Sequence, residues 1–197
     1  MEEGEEELEF ELEEPQEEEE FEGFVYVDHQ QKANRDVSAE KEALQKISDE
    51  FPFVLKPEKL NITWETDENY WKKENEYAYL LDVCWFDITG NFDNLPIGNY
   101  EVILYGNFVK GCNPFELFTD VREGDKTIAS FKNTSNQLSD LPFTALTIGE
   151  FEWTNDGTAS VRIHNTDDPS WKSGLSVFGL ELRNKYARRF QHTKRAE

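Results

Sequence analysis

The chain has 197 residues, 42 acidic against 20 basic side chains, a net charge of -22 and five tryptophans. That length suits one domain with extensions. The acidic surplus argues against nucleic acid and anionic membranes as ligands, because both are held by Lys and Arg displacing counterions.

Residues 1–23 hold 14 Glu, no basic residue and few large apolar groups. Self-repulsion and scant apolar area predict a disordered acidic tail, either solubilising or a docking segment for protein partners. This Glu run is no secretory leader, and no stretch approaches 18 apolar residues. The expectation is therefore a cytoplasmic or nuclear protein without membrane insertion. Two cysteines, Cys84 and Cys112, fit a reducing compartment, with Cys84 read as a small core hydrophobe.

Residues 24–56 read as a linker with a short helix. Ser38 is placed to cap it, Glu40 suits its first turn, and Ala43, Leu44 and Ile47 form one narrow apolar stripe ending by Glu50. Pro52 then forces the chain out of helical geometry. The domain proper is expected over 57–185, followed by a basic tail, 186–197, with Arg188, Arg189, Lys194 and Arg195.

From Leu60 onward the pattern changes to short strands. The candidates are 60–64, 79–89, 98–109, 117–121, 127–131, 145–153, 159–164 and 174–183, separated by Gly, Pro, Asn and Asp clusters. In the last of them Val177, Gly179 and Glu181 alternate with Phe178, Leu180 and Leu182, giving one apolar face. Seven or eight strands with one helix describe an all-β protein: an antiparallel, jelly-roll-like β-sandwich with an N-terminal helix.

The five tryptophans sit in the frame Ile62-Thr63-Trp64, Tyr70-Trp71, Val83-Cys84-Trp85, Phe151-Glu152-Trp153 and Trp171-Lys172-Ser173-Gly174-Leu175. Trp85 and Trp153 read as packing residues on strands. Trp64 ends a strand. Trp171 follows the turn sequence Asp167-Asp168-Pro169 and is either the anchor of the last hairpin or the second wall of a site. The loop from Glu65 to Trp71 offers carboxylates, an amide and aromatic rings within seven residues. An indole stacks on the apolar face of a pyranose while Asp, Glu and Asn hydrogen-bond its rim, so this loop is either a sugar platform or a surface loop with Trp71 folded inward.

Nothing suggests catalysis. His29, His164 and His192 have no nucleophile motif beside them, Asp167 and Asp168 read as turn chemistry, and no Gly-rich phosphate loop or Cys/His metal spacing occurs.

The order of five blocks resembles the phloem protein 2 domain of plant lectins over residues 60–185. They are Leu60–Trp64, Asn69-Tyr70-Trp71, Val83–Gly90, Gly98–Val102, and Trp171–Leu175 running on to Gly179–Arg183. Such proteins are similar to the Nictaba-type lectins, nucleocytoplasmic β-sandwiches that bind N-acetylglucosamine oligomers or N-glycan cores. The resemblance implies that Trp64 and Trp71 belong to the sugar-binding region. It also implies acidic helpers near the strand before Trp171, where this chain has Thr158 and Asn165, with Asp167 and Asp168 close by. One more departure is Lys73, where the family often has an aromatic residue. The expected carbohydrate-binding residues are Trp64, Asn69, Tyr70, Trp71, Asp168, Trp171 and Lys172, with no metal and no cofactor. Expected partners are glycans or glycoproteins, while protein partners through the acidic tail and a homodimer stay open. The alternative is a protein-interaction module on the same sandwich that has lost sugar binding.

Overall fold

A computed structural model describes residues 53–74, 76–141 and 143–185. The expected acidic tail, the helix ending at Glu50 and the basic C-terminal tail lie outside the described residues, as do His29 and His192. Eleven strands are found among the described residues. They are β1 (Val54–Leu55), β2 (Asn61–Ile62), β3 (Trp71–Lys73), β4 (Ala78–Leu80), β5 (Phe86–Leu95), β6 (Gly98–Phe108), β7 (Glu116–Glu123), β8 (Lys126–Thr134), β9 (Thr144–Trp153), β10 (Gly157–Asn165) and β11 (Leu175–Asn184).

They form two antiparallel sheets, so the expected β-sandwich is what the chain adopts. The first sheet runs β3-β4-β11-β6-β9, with β1 added alongside β11; the second runs β2-β5-β10-β7-β8. The core lies between them. Ile62, Phe86, Ile88, Phe92, Val161 and Ile163 come from the second sheet. Tyr100, Val102, Leu104, Val177, Leu180 and Leu182 come from the first. Alternation produces this directly, since residues two apart along a strand share a face.

Two strand expectations need correction. The single strand expected over 79–89 is two, β4 and β5, and β5 continues through Gly90 to Leu95 instead of breaking there. Gly90 is a core residue: a Cβ built on it would lie 2.7 Å from Leu55 Cδ1 and 3.1 Å from both Leu180 and Leu60. Its bare backbone makes room for side chains of the facing layer. In β11, a register shift falls between Val177 and Gly179. This bulge puts Val177, Leu180 and Leu182 in the core and turns Phe178 to the opposite face, so the expected simple alternation does not run through it.

Candidate functional site

One end of the sandwich gathers the ends of β2 and β10 and the starts of β5 and β11. Thr63, just after β2, donates its N–H to the Asp87 carbonyl (3.0 Å). Asn165, at the end of β10, pairs with Phe86. Val83 and Lys172 exchange two backbone hydrogen bonds, of 2.9 and 2.7 Å. These links bring three loops together: 63–70, 81–85 and 166–174.

Each loop presents one indole to solvent. Trp64 is 56 % exposed, Trp85 52 % and Trp171 60 %, whereas Trp71 and Trp153 are buried at 2 % and 1 %. Trp64 also has φ of 66°, the left-handed region. For a bulky side chain that conformation costs on the order of 1–3 kcal/mol, and such residues cluster at binding sites. The cost is met by the turn around it. Glu65 N–H donates to the Ile62 carbonyl (3.2 Å) and Asp67 N–H to that of Trp64 (3.0 Å). Tyr70 meets the Trp64 ring edge-on at 6.1 Å.

Behind this rim, two buried side chains hold the loops in place. Trp71 packs on Phe86 with ring centroids 6.1 Å apart, and its Nε1–H donates to the Thr63 carbonyl (3.1 Å). It thus fixes the residue before Trp64. Its ring has no free face for a ligand: of the two readings of this loop, Trp71 follows the inward one. Lys172 is 1 % exposed. Its Nζ donates to the carbonyls of Cys84 (3.0 Å), Asp168 (2.6 Å) and Ser170 (2.7 Å). One buried ammonium therefore clamps the residue before Trp85 to the loop before Trp171. Hydrogen bonds from a charged donor contribute roughly 1.5–3 kcal/mol each. Trp71 and Lys172, expected to contact a ligand, are therefore positioning residues inside the fold.

The polar candidates on the rim are exposed and partly engaged in their own turns. Asp67 Oδ1 accepts from the backbone N–H (3.0 Å) and the side-chain amide (2.9 Å) of Asn69. Asp168 accepts from the Ser170 hydroxyl (2.7 Å) and N–H (2.9 Å), and those two bonds hold its carboxyl below the usual range. Partial burial raises that of Asp82. The same three loops carry Glu65, Asp67, Asp82, Asp167 and Asp168, of which Glu65 is paired with Lys73 (2.6 Å), so they hold a surplus of hydrogen-bond acceptors and of negative charge. Thr158 and Asn165 are occupied elsewhere. The Thr158 hydroxyl donates to Asp93 (2.9 Å), and the Asn165 amide, 1 % exposed, donates to the Glu116 carbonyl (2.9 Å).

Two sequence expectations are corrected here. Trp85 was expected to pack in the core and is instead a rim residue. The parity that fills the core is Phe86, Ile88 and Phe92, which leaves Trp85 on the side of Asp87 and Thr89. The signal was present, because a strand that puts Asp87 outward must put Trp85 outward too. Cys84, expected inside, is exposed. Trp153 is buried as expected.

The profile of the phloem protein 2 family matches residues 51–184, most of the chain and all of the two sheets. The chain belongs to the phloem protein 2 family. It is 31 % identical over 151 residues to PHLOEM PROTEIN 2-LIKE A1 of Arabidopsis thaliana, covering 68 % of this chain and 61 % of that one. It is 29 % identical over 161 residues to PHLOEM PROTEIN 2-LIKE A5 of the same plant, covering 68 % and 37 %. A lectin of Luffa acutangula is 26 % identical over 148 residues, covering 68 % and 70 %. The chain thus spans between about a third and three-fifths of the length of the two Arabidopsis relatives. Among the described residues, no group of three His, Cys, Asp or Glu is placed to hold a metal, and no helix is long and apolar enough to cross a membrane.

Proposed function

We propose that this phloem protein 2 domain is a non-enzymatic lectin. It recognises N-acetylglucosamine oligomers or N-glycan cores by stacking sugar faces on Trp64, Trp85 and Trp171. The hydroxyl and N-acetyl groups bond the Asn69 amide and the Asp67, Asp82 and Asp168 carboxylates. The observation that carries this reading is the outward hold on three indoles at one end of the sandwich, one of them kept at positive φ. A folded chain gains nothing in stability from an exposed indole, so the two buried clamps behind them, Trp71 and Lys172, are best understood as serving a ligand. A negative rim suits a neutral, hydroxyl-rich partner and repels sulfated or phosphorylated ones. The family relation and the Luffa lectin support the same ligand class. Glycans or glycoproteins of the cytoplasm or nucleus are the partners this reading implies.

Tryptophan fluorescence titrated with N-acetylglucosamine trimer tests it. A saturable shift is expected for the native chain. In Trp85→Ala the apolar area lost is worth about 1–2 kcal/mol, which is a roughly five- to thirtyfold weaker Kd. Unfolding midpoints should stay unchanged. A flat titration with the near-ultraviolet circular dichroism of a folded protein would sink the proposal.

One observation favours a protein-interaction module instead: Thr158 and Asn165 spend their polar groups inside the domain, and exposed tryptophans are also the commonest anchors of protein interfaces. Partner capture that survives excess trimer and is lost in Trp85→Ala would select that reading.

A further inference from the structure

Trp85 stands at the head of a polar strip that crosses the outer face of the second sheet. Alternation along β5 puts Trp85 on the same side as Asp87 and Thr89. Register carries that side across the neighbouring strands. His164 lies opposite Asp87, and Arg162 opposite Thr89, on β10. Asp120 of β7 lies opposite Arg162, and Ser130 of β8 opposite Asp120. Asp87 accepts from Arg162 Nε (3.0 Å) and Nη2 (2.7 Å). Asp120 accepts from the Ser130 hydroxyl (2.7 Å) and Arg122 Nη2 (3.1 Å), with His164 Nε2 3.6 Å away. The charged side chains of this line are 16–36 % exposed. Pairs open to water add little to stability. Their effect is to hold short polar groups at fixed places on an open face.

We propose that the strip is a continuation of the tryptophan rim. The rim's ligand is a linear N-acetylglucosamine chain of more than three units, and Asp87, Arg162, His164, Asp120 and Ser130 bind the units beyond Trp85. The proposal rests on the lectin reading, and within it selects linear oligomers over N-glycan cores.

Two observations join strip and rim. Trp85 belongs to both, two residues before Asp87 on one side of the strand. Arg162 also feels both. Its hydrogen bonds to Asp87 raise its guanidinium above the ordinary value against partial burial, and the charges of Asp87, Asp120 and Asp167 add to the rise. Asp167 lies in the loop that carries Trp171.

Charge and reach identify the occupant. Asp87, Glu116 and Asp120 balance Arg122, Lys132 and Arg162, so the middle of this face is neutral, whereas residues 57–185 hold 21 acids against 11 bases. A neutral line of fixed donors and acceptors suits an uncharged polyhydroxyl chain. From Trp85 to Asp87 is about 7 Å along β5, and from β5 to β8 about 14 Å across three strand spacings. A linear chain follows such a line from a ring stacked on Trp85.

Calorimetric titration of the full chain with the trimer and the hexamer of N-acetylglucosamine tests this. The hexamer should bind roughly thirtyfold tighter, beyond the about fourfold that its extra three-unit frames give by statistics. In Arg162→Ala that advantage should fall to the statistical factor. Ser130→Ala, which leaves both ion pairs in place, should weaken hexamer binding about threefold. The ring-proton NMR signals of His164, identified by their loss in His164→Gln, should move with the hexamer and hold still with the trimer. A hexamer advantage of about fourfold or less, or His164 signals that ignore the hexamer, would overturn the proposal, while saturable trimer binding kept the lectin reading. Binding of neither sugar would remove both.

Discussion

Glu181 and Asp87 each grip an arginine with both oxygens, yet on opposite outer faces of the sandwich the two pairs meet different solvents. Glu181 takes Arg183 Nε (2.9 Å) and Nη2 (2.7 Å) and also accepts from the Tyr105 hydroxyl, to which Arg183 Nη2 donates in turn (2.7 Å). The carboxylate side chain is 0 % exposed and the guanidinium 16 %. On the second sheet Asp87 takes Arg162 Nε (3.0 Å) and Nη2 (2.7 Å), with side chains 16 % and 29 % exposed. Arg162 is flanked there by Asp120 and Arg122 of the neighbouring strand β7 and by His164 two residues along its own strand. The lesson is that two sheets of one sandwich can share geometry and differ in dielectric: one outer face is an interior, the other a surface.

Deleting the two acids one at a time should separate the faces most strongly. Removing one partner of a buried pair leaves an uncompensated charge, so Glu181→Ala should cost about 3–5 kcal/mol in urea unfolding. Asp87→Ala should cost about 1 kcal/mol, because water reaches Arg162 once the carboxylate is gone. Equal losses would mean that both faces are solvated. The double variant Glu181→Leu/Arg183→Met should recover most of the loss, since the desolvation penalty goes with the charges.

A smaller effect separates the faces by pH. On the first sheet, burial followed by the charge of Cys112 pushes the Tyr79 phenol up to about 12, and burial together with Glu181 raises that of Tyr105. A phenol raised in the fold favours its neutral form there. Its contribution is complete below the unfolded value near 10 and is lost as pH climbs through about 12. On the second sheet, burial pushes the Asp120 carboxyl up, but Ser130, Arg122 and His164 together outweigh it and hold it below the usual range. That contribution is present above the unfolded value near 4 and disappears as pH falls below it. Thermal melts should therefore lose their alkaline limb in Tyr79→Phe/Tyr105→Phe and part of their acid limb in Asp120→Asn. An alkaline limb unchanged by the phenylalanines would refute the assignment.

The sandwich itself was legible, because turn residues and two-residue alternation are local signals, and Trp153 read as packing for the same reason. The site was only half legible. Trp171 stands in a loop that its turn sequence Asp167-Asp168-Pro169 marks, whereas Trp64, expected to end a strand over 60–64, lies in the turn that follows β2. Trp85 was misread because both parities of its strand carry large apolar side chains, and only Asp87 told them apart. Lys172 could not be read as a buried clamp, since one of the carbonyls that satisfies it belongs to Cys84, 88 residues away. The inward turn of Trp71 likewise depends on a carbonyl eight residues upstream. Such long-range satisfaction leaves no periodic trace. The doubly buried β11 was hidden by its bulge, which reassigns Phe178 to the face opposite the one alternation gives it.

The smallest expected difference concerns Lys132, which on the second sheet pairs with Glu116 at 2.5 Å and sits 5.4 Å from the centroid of the Phe118 ring. Its side chain is 59 % exposed and that of Glu116 47 %, so water screens both partners. An exposed pair of this kind contributes about 0.2–1 kcal/mol, and the ring adds about 0.5 kcal/mol. Lys132→Ala should thus lower stability by no more than about 1.5 kcal/mol, and 1 M salt should erase most of the difference from the native chain. Phe178→Ala on the other sheet removes a ring held at 2 % exposure, a loss of about 3–5 kcal/mol that salt does not rescue. The informative quantity is the response to salt rather than the size of either loss. A salt-insensitive Lys132→Ala would mean that the second outer face is also closed to solvent, and the contrast between the faces would then lie in charge alone.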